Sequence, residues 1–287
     1  MYKSIEGQQE IASWYDKELS SLAVHSRIVN TPSGDTHVLE AGSASLPALM
    51  LLPGTNFSAL SWEKYIVQLS TDFHVIAVDI IGQPGKSAPA RPSFKGTAYA
   101  EWLVTLLNGL SIDRAHVMGH SLGGGLALKL AAFAPERVGK VVLIDPAGII
   151  RLRITPRIIW KSMPLLLRPG ERSSRGLLEL MSVQEVDPKA VEWMALVSKH
   201  VKSSLAPPPI SNEELQAVKA DVLLLSGEQD VFLPPDKLVQ KARQLFPNIE
   251  VHIIPDAGHL LPDEQPEQVL RHVRKFLKRT DGGEARP

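Results

Sequence analysis

Five residues near the middle of the chain, Gly119-His120-Ser121-Leu122-Gly123, form the pattern Gly-x-Ser-x-Gly. The pattern alone is weak, but its position gives it weight. An apolar run, 115–118, leads straight into it, and an alanine- and leucine-rich helical stretch, 122–134, follows. A serine in a tight strand-to-helix turn needs glycines nearby, because a Cβ there would strike the sheet or the helix. Such a turn lifts the hydroxyl clear of the backbone. It also sets the Leu122 amide at a helix N-terminus, where partial positive charge can hold an oxyanion. The chemistry this arrangement serves is attack of the Ser121 oxygen on a carbonyl carbon.

A serine hydroxyl is inert near neutral pH without a general base. The nine histidines are His25, His37, His74, His116, His120, His200, His252, His259 and His272. His259 stands in the loop Pro255-Asp256-Ala257-Gly258-His259, between a late strand and the last helix, and is the candidate base. His116 and His252 fall inside strands, His120 adjoins the serine and is expected to support its turn, and His272 is expected in solvent. The base in turn needs a carboxylate to hold its tautomer and stabilise its cation. Asp230, after the strand 221–226, is the candidate, with Asp145, after the strand 138–144, as the alternative. Asp79 also follows a strand but sits in a turn, where it is expected to hold backbone donors. Asp256 and Asp263 lie too close to His259 in sequence to reach around it.

These residues need a scaffold, and the hydrophobic pattern supplies one. Short apolar runs at 48–52, 74–78, 115–118, 138–144, 221–226 and 250–254 alternate with helical stretches at 62–69, 99–107, 122–134, 235–246 and 265–279. Near-continuous apolar strands separated by helices indicate a mostly parallel sheet covered on both faces, an α/β architecture. The runs 26–29 and 36–41 flank the turn Thr31-Pro32-Ser33-Gly34-Asp35 and read as an antiparallel hairpin at one edge. An N-terminal helix is expected over 11–22, with Ile11, Trp14, Tyr15, Leu19 and Leu22 on one stripe. In such sheets ligands bind beyond the carboxyl ends of the strands. Ser121, Asp230 and His259 all fall there. The strandless, proline-rich segment 149–212 is expected to be a helical cap over the site, with 1–148 and 213–287 forming the core.

Taken together the chain resembles the α/β-hydrolase superfamily, and within it the capped, carboxylesterase-like serine hydrolases. The resemblance runs from Ser26 to Leu277. Beside the serine turn it rests on Asp79-Ile80-Ile81-Gly82-Gln83-Pro84-Gly85-Lys86-Ser87, on Ala134-Pro135-Glu136-Arg137-Val138 and on Gly258-His259 with Pro262 and Pro266. The order Ser121, Asp230, His259 is that of the superfamily. The resemblance implies a second oxyanion amide after the glycine of the loop that follows the 48–52 strand. That amide is Thr55, with Asn56 as the alternative. The loop departs from the usual His-Gly-x opening, reading Pro53-Gly54-Thr55, and so lacks a side chain that normally braces it. The implied reaction is hydrolysis of an ester of a small or medium apolar acyl group through an acyl-enzyme. A carbon–carbon bond hydrolase, a lactonase, an acyltransferase or a low-turnover receptor of the same fold would carry the same features.

Composition narrows the field further. Thirty-one basic and 31 acidic residues cancel, so no global field draws nucleic acid. Without cysteine there are no disulfides, thiol nucleophiles or zinc–thiolate sites. No His-Glu-x-x-His occurs, and neither a metal nor a cofactor is expected. The first ten residues are polar and no run reaches the roughly 20 apolar residues of a membrane span, so a cytoplasmic protein without integral membrane association is expected. A local exception is 151–175, where Arg151, Arg153, Arg157, Lys161, Arg168, Arg172 and Arg175 face the single acid Glu171. These cations are expected to form the solvated side of cap helices whose apolar side packs inward. Trp160, Met163 and Trp193 are the candidate acyl-pocket residues.

Overall fold

In a computed structural model, residues 1–202 and 206–279 are described. Residues 203–205 of the expected cap and 280–287 of the expected core lie outside them. The chain begins with α1 (Ile5–Leu19), then β1 (His25–Val29), β2 (Thr36–Ala41), β3 (Ala48–Leu52), α2 (Glu63–Leu69) and β4 (His74–Val78). It continues through α3 (Ala98–Gly109), β5 (Ala115–His120), α4 (Leu122–Phe133) and β6 (Val138–Ile144). Four helices follow without a strand: α5 (Pro156–Leu167), α6 (Glu171–Met181), α7 (Pro188–His200) and α8 (Asn212–Gln216). The chain then forms β7 (Asp221–Gly227), α9 (Pro235–Leu245), β8 (Ile249–Ile254), α10 (Leu261–Glu264) and α11 (Pro266–Leu277).

The eight strands make one sheet in the order β1-β2-β4-β3-β5-β6-β7-β8. As expected, the hairpin β1–β2 is antiparallel and joins β4 antiparallel at one edge, while the remaining pairs are parallel. Alternate side chains of each central strand enter two separate cores. Met50, Leu52, Ile76 and Val117 pack under α3 and α4. Leu49, Leu51, Val75 and Met118 pack under α1, α2 and α11. This period of two is why the strands read as unbroken apolar runs.

The N-terminal helix departs from the sequence expectation. It starts at Ile5, where the Ser4 hydroxyl accepts from the Gly7 amide, and it ends at Leu19. Over Ile5–Glu10 the one large apolar side chain, Ile5, is exposed, so an apolar stripe beginning at Ile11 could not report this stretch. Trp14 meets Trp193 of α7 with ring centroids 5.0 Å apart. The Lys3 amide donates to the His200 carbonyl at 2.8 Å, which fastens the start of the chain to the end of α7. His272, expected in solvent, stacks on the His252 ring at 3.9 Å. No helix among the described residues is long and apolar enough to cross a membrane.

Candidate active site

Four loops at the carboxyl edge of adjacent strands converge. Leu52 of β3 and Gly119 of β5 are register partners, so the loop after β3 and the serine turn leave the sheet side by side. Between β5 and α4, Ser121 has φ 48° and ψ −112°, a backbone conformation that costs a non-glycine residue about 1–3 kcal/mol. The turn is held by the Ser121 amide donating to Ile144 and by the Ala147 amide donating to the Ser121 carbonyl. Gly119 and Gly123 are obligatory for contact reasons. A Cβ at Gly123 would stand 2.0 Å from the Leu52 carbonyl oxygen, and one at Gly119 2.3 Å from Gly123.

The Ser121 Oγ lies 3.1 Å from His259 Nε2, and His259 Nδ1 lies 2.7 Å from Asp230 Oδ2. The carboxylate claims the Nδ1 proton, which leaves Nε2 as the acceptor of the serine hydroxyl. His259 and Asp230 are both buried. Burial alone would raise the pKa of Asp230, but the facing His259 and the amides of Leu233 and Phe232 outweigh it and hold the carboxyl below its usual range. Asp230 is therefore anionic at neutral pH.

The alternative acid, Asp145, is not the partner of the imidazole, though it is near. Donor atoms of Asp145, Asp230 and His259 all fall within 4.8 Å of one another. Asp145 instead accepts from the Ser226 hydroxyl at 2.8 Å and the Gly227 amide at 3.1 Å. Full burial, and then the neighbouring Asp230 charge, push its pKa well above 3.8. The pair thus holds one charge between two carboxyls.

The oxyanion alternatives separate cleanly. The Asn56 amide donates to Gln83 Oε1 at 2.9 Å, and the Asn56 carbonyl accepts from Trp193 Nε1 at 2.8 Å. Asn56 is thereby committed at both ends. Among the described residues, neither the Thr55 nor the Leu122 amide has a protein acceptor. Gln83, buried in the loop after β4, supplies the brace that the missing histidine of Pro53-Gly54-Thr55 would have given. Nothing in the local sequence marks it, since the contact spans 27 positions.

The contacts of two further residues escaped the sequence reading. His120, expected to support its own turn, joins two loops: its Nε2 donates to the His259 carbonyl at 2.7 Å. Burial, and then His259, lower its pKa to about 3, so it is neutral. Glu264 reaches from α10 to accept from the Gly258 amide at 2.7 Å with one oxygen and from the Val183 amide at 2.6 Å with the other. The His259 amide donates to the Met181 carbonyl at 2.7 Å. The end of α6 is thus stapled to the histidine loop.

Of the candidate pocket residues, Trp193 is buried beneath Asn56. Trp160 and Met163 are not brought to the serine. They line a groove of about 750 Å³ between α5 and α6 whose walls include none of Ser121, Asp230 and His259. Asp79, as expected, holds loops: its carboxylate accepts from the amides of Ala59 and Lys86 and from the Tyr15 hydroxyl. It also accepts from His37 Nδ1 at 2.9 Å, and the other nitrogen of that ring meets Ser26 Oγ at 2.9 Å.

A mostly parallel sheet with a strained serine turn after β5, a carboxylate after β7 and a buried imidazole after β8 is the arrangement of an α/β hydrolase. Residues 49–272 match the alpha/beta hydrolase family, and the chain belongs to it. Its relatives include carboxylesterase YbfK of Bacillus subtilis (strain 168), 32% identical over 292 residues that take in 96% of each chain. The crystal structure of that carboxylesterase (CesB, YbfK) superposes with a TM-score of 0.84, covering 96% of this chain and 99% of the other at 30% identity. Naproxen esterase (carboxylesterase NP) from Bacillus subtilis superposes with a TM-score of 0.86 at 29% identity, covering 96% of this chain and all of the other.

Proposed function

We propose that this chain hydrolyses carboxylic esters of small or medium apolar acyl groups through an acyl-enzyme, with Ser121, His259 and Asp230 as its catalytic triad. The observation that carries the reading is the unbroken relay from the Ser121 hydroxyl through His259 to the buried Asp230 carboxylate. The relatives named carboxylesterase agree with it.

In this reading Ser121 Oγ bonds to the ester carbonyl carbon as its proton passes to His259 Nε2. The carbonyl electron pair moves onto oxygen, where the Thr55 and Leu122 amides receive it. Removing one such donor typically costs about 2.7–4 kcal/mol of transition-state stabilisation. The tetrahedral species collapses, the alkoxide leaves with the Nε2 proton, and the acyl group stays on Ser121. Water then gives a proton to His259 as its oxygen bonds to the same carbon, and the second tetrahedral species collapses by breaking the bond to Ser121 Oγ, which takes back the Nε2 proton as the acid leaves. Asp230 keeps Nδ1 protonated throughout and stabilises the imidazolium. The segment 149–212 acts as the cap, held to the histidine loop through Glu264.

Incubation with a fluorophosphonate, read by intact mass, tests the reading. One adduct on the wild type and none on Ser121→Ala is the expected result, followed by turnover of p-nitrophenyl esters. No adduct on either protein would remove the hydrolase reading and leave a ligand-binding member of the fold.

A further inference from the structure

Helix α5 differs from every other long helix of the molecule. Of its apolar side chains only Ile158 is buried. Ile159, Trp160, Met163, Leu166 and Leu167 stand at i, i+1, i+4, i+7 and i+8, which at about 100° per residue puts them on one stripe of roughly a third of the circumference. That stripe faces outward: Trp160 is 74% exposed, Leu167 71% and Leu166 66%. Ile154, just before the helix, is also exposed. The sequence expectation that these residues pack inward beneath a skin of cations therefore fails. Contiguous apolar patches of this kind are rare on soluble monomers and mark interaction surfaces.

The cations around the stripe are equally unengaged. The seven basic residues of 151–175 against Glu171 give a local +6 in a chain of zero net charge. All seven are exposed. Among the described residues none makes an ion pair. Arg157 stands on α5 about 60° beyond Trp160 at the edge of the stripe, while Lys161, Arg168 and Arg172 line the α5–α6 groove beside Trp160 and Leu167.

We propose that the α5 face is a docking surface for an anionic lipid bilayer. A helix of 12 residues is about 18 Å long and cannot span a hydrocarbon core of about 30 Å. It can lie in the interface plane, its apolar stripe at the acyl boundary and its cations among acidic headgroups. An apolar stripe with an interfacial tryptophan and flanking Arg and Lys is the chemistry of such helices. Charge complementarity selects the bilayer over a second copy of the chain, which would bring one +6 patch against another. The apolar stripe beside the cations selects it over nucleic acid. The proposal goes beyond the esterase reading and does not depend on it.

Co-sedimentation of the full chain with phosphatidylcholine vesicles, with and without phosphatidylglycerol, tests it. Partitioning onto the anionic vesicles should exceed that onto neutral ones by about tenfold or more and should fall in high salt. Leu166→Ser/Leu167→Ser and Arg157→Glu/Lys161→Glu should each lower it by about tenfold. Both double variants alter exposed positions, and unchanged circular dichroism and hydrolysis of a soluble p-nitrophenyl ester would show them folded. Equal partitioning onto both vesicle types, or partitioning untouched by the folded variants, would overturn the proposal. So would a dimer in sedimentation velocity that Leu166→Ser/Leu167→Ser converts to monomer, since the face would then belong to a second copy.

Discussion

Among the described residues, two Ser–His–Asp relays have nearly the same dimensions. Ser121, His259 and Asp230 are linked at 3.1 and 2.7 Å, and Ser26, His37 and Asp79 at 2.9 and 2.9 Å. Both imidazoles and both carboxylates are buried. Their surroundings differ in every other respect. Ser26 lies in the regular edge strand β1, paired with Leu39, whereas Ser121 occupies a strained turn at φ 48° beside two amides without acceptors. Asp79 ties together the loops around Ala59 and Lys86, and its histidine extends that tie to the hairpin. The comparison teaches that hydrogen-bond connectivity alone does not make a nucleophile. In the proposed function, the strained turn and the two amides without acceptors are what set Ser121 apart from Ser26.

The comparison is most directly broken by exchanging roles in the kinetics. Ser121→Ala should lower kcat about a hundred-thousand-fold and abolish fluorophosphonate labelling. Ser26→Ala should leave both within about twofold. A large loss of kcat in folded Ser26→Ala would show that the second relay is more than structural. The carboxylates extend the test. Asp230→Asn should lower kcat about ten-thousand-fold through the wrong histidine tautomer. Asp79→Asn should act mainly on stability, at about 3 kcal/mol, because buried donors lose their acceptor; thermal melts beside kcat separate the two.

A smaller effect sharpens the role of the donors. Gln83→Leu frees the Asn56 amide and should lower kcat about tenfold to a hundredfold with little change in KM, provided that the loop positions Thr55 for the transition state. A rise in KM at constant kcat would assign Gln83 to substrate binding instead.

The smallest effect is on the pH dependence of stability. The native pKa of Asp145 is raised above 3.8, so above about pH 4 the folded chain keeps a proton that the unfolded chain has released. Stability from this group falls as pH rises through that window. Asp230, whose native pKa is lowered, contributes in the opposite sense: its stabilisation is present above 3.8 and lost as pH falls through the native value. Asp145→Asn should therefore flatten the decline and gain stability relative to wild type as pH rises above about 4, which urea titrations at a series of pH values would measure.

Much of the fold was legible because parallel strands buried on both faces announce themselves as apolar runs, and strand ends limit where chemistry can sit. Ser121, Asp230 and His259, placed by that reasoning, meet at hydrogen-bond distance. The resemblance named Thr55 ahead of Asn56, but the contact that occupies the Asn56 amide was not legible, since Gln83 reaches it from another loop. Glu264 and the His120–His259 bond were hidden for the same reason: each joins two loops through one polar atom, and local pattern carries no trace of such a pairing. Helix α5 misled in a different way. Its Ile, Leu and Trp residues carry a period that tells which side chains share a face, but not whether that face meets protein. The first six residues of α1 hold a single apolar side chain, Ile5, which sets no period that could report them.

Strands β6 and β7 are neighbours in register, with Ile144 opposite Leu225, and the whole of 149–212 leaves from the end of one and returns toward the start of the other. No strand of the sheet comes from that segment, although its Leu178, Val191, Trp193 and Val197 complete the core on one face. Closing a flexible connection of twice the length costs only about 0.6 kcal/mol more. An exchanged insert that presents donors to Glu264, an acceptor to the His259 amide and apolar side chains to that core should therefore leave the strands in their order while redirecting what reaches Ser121.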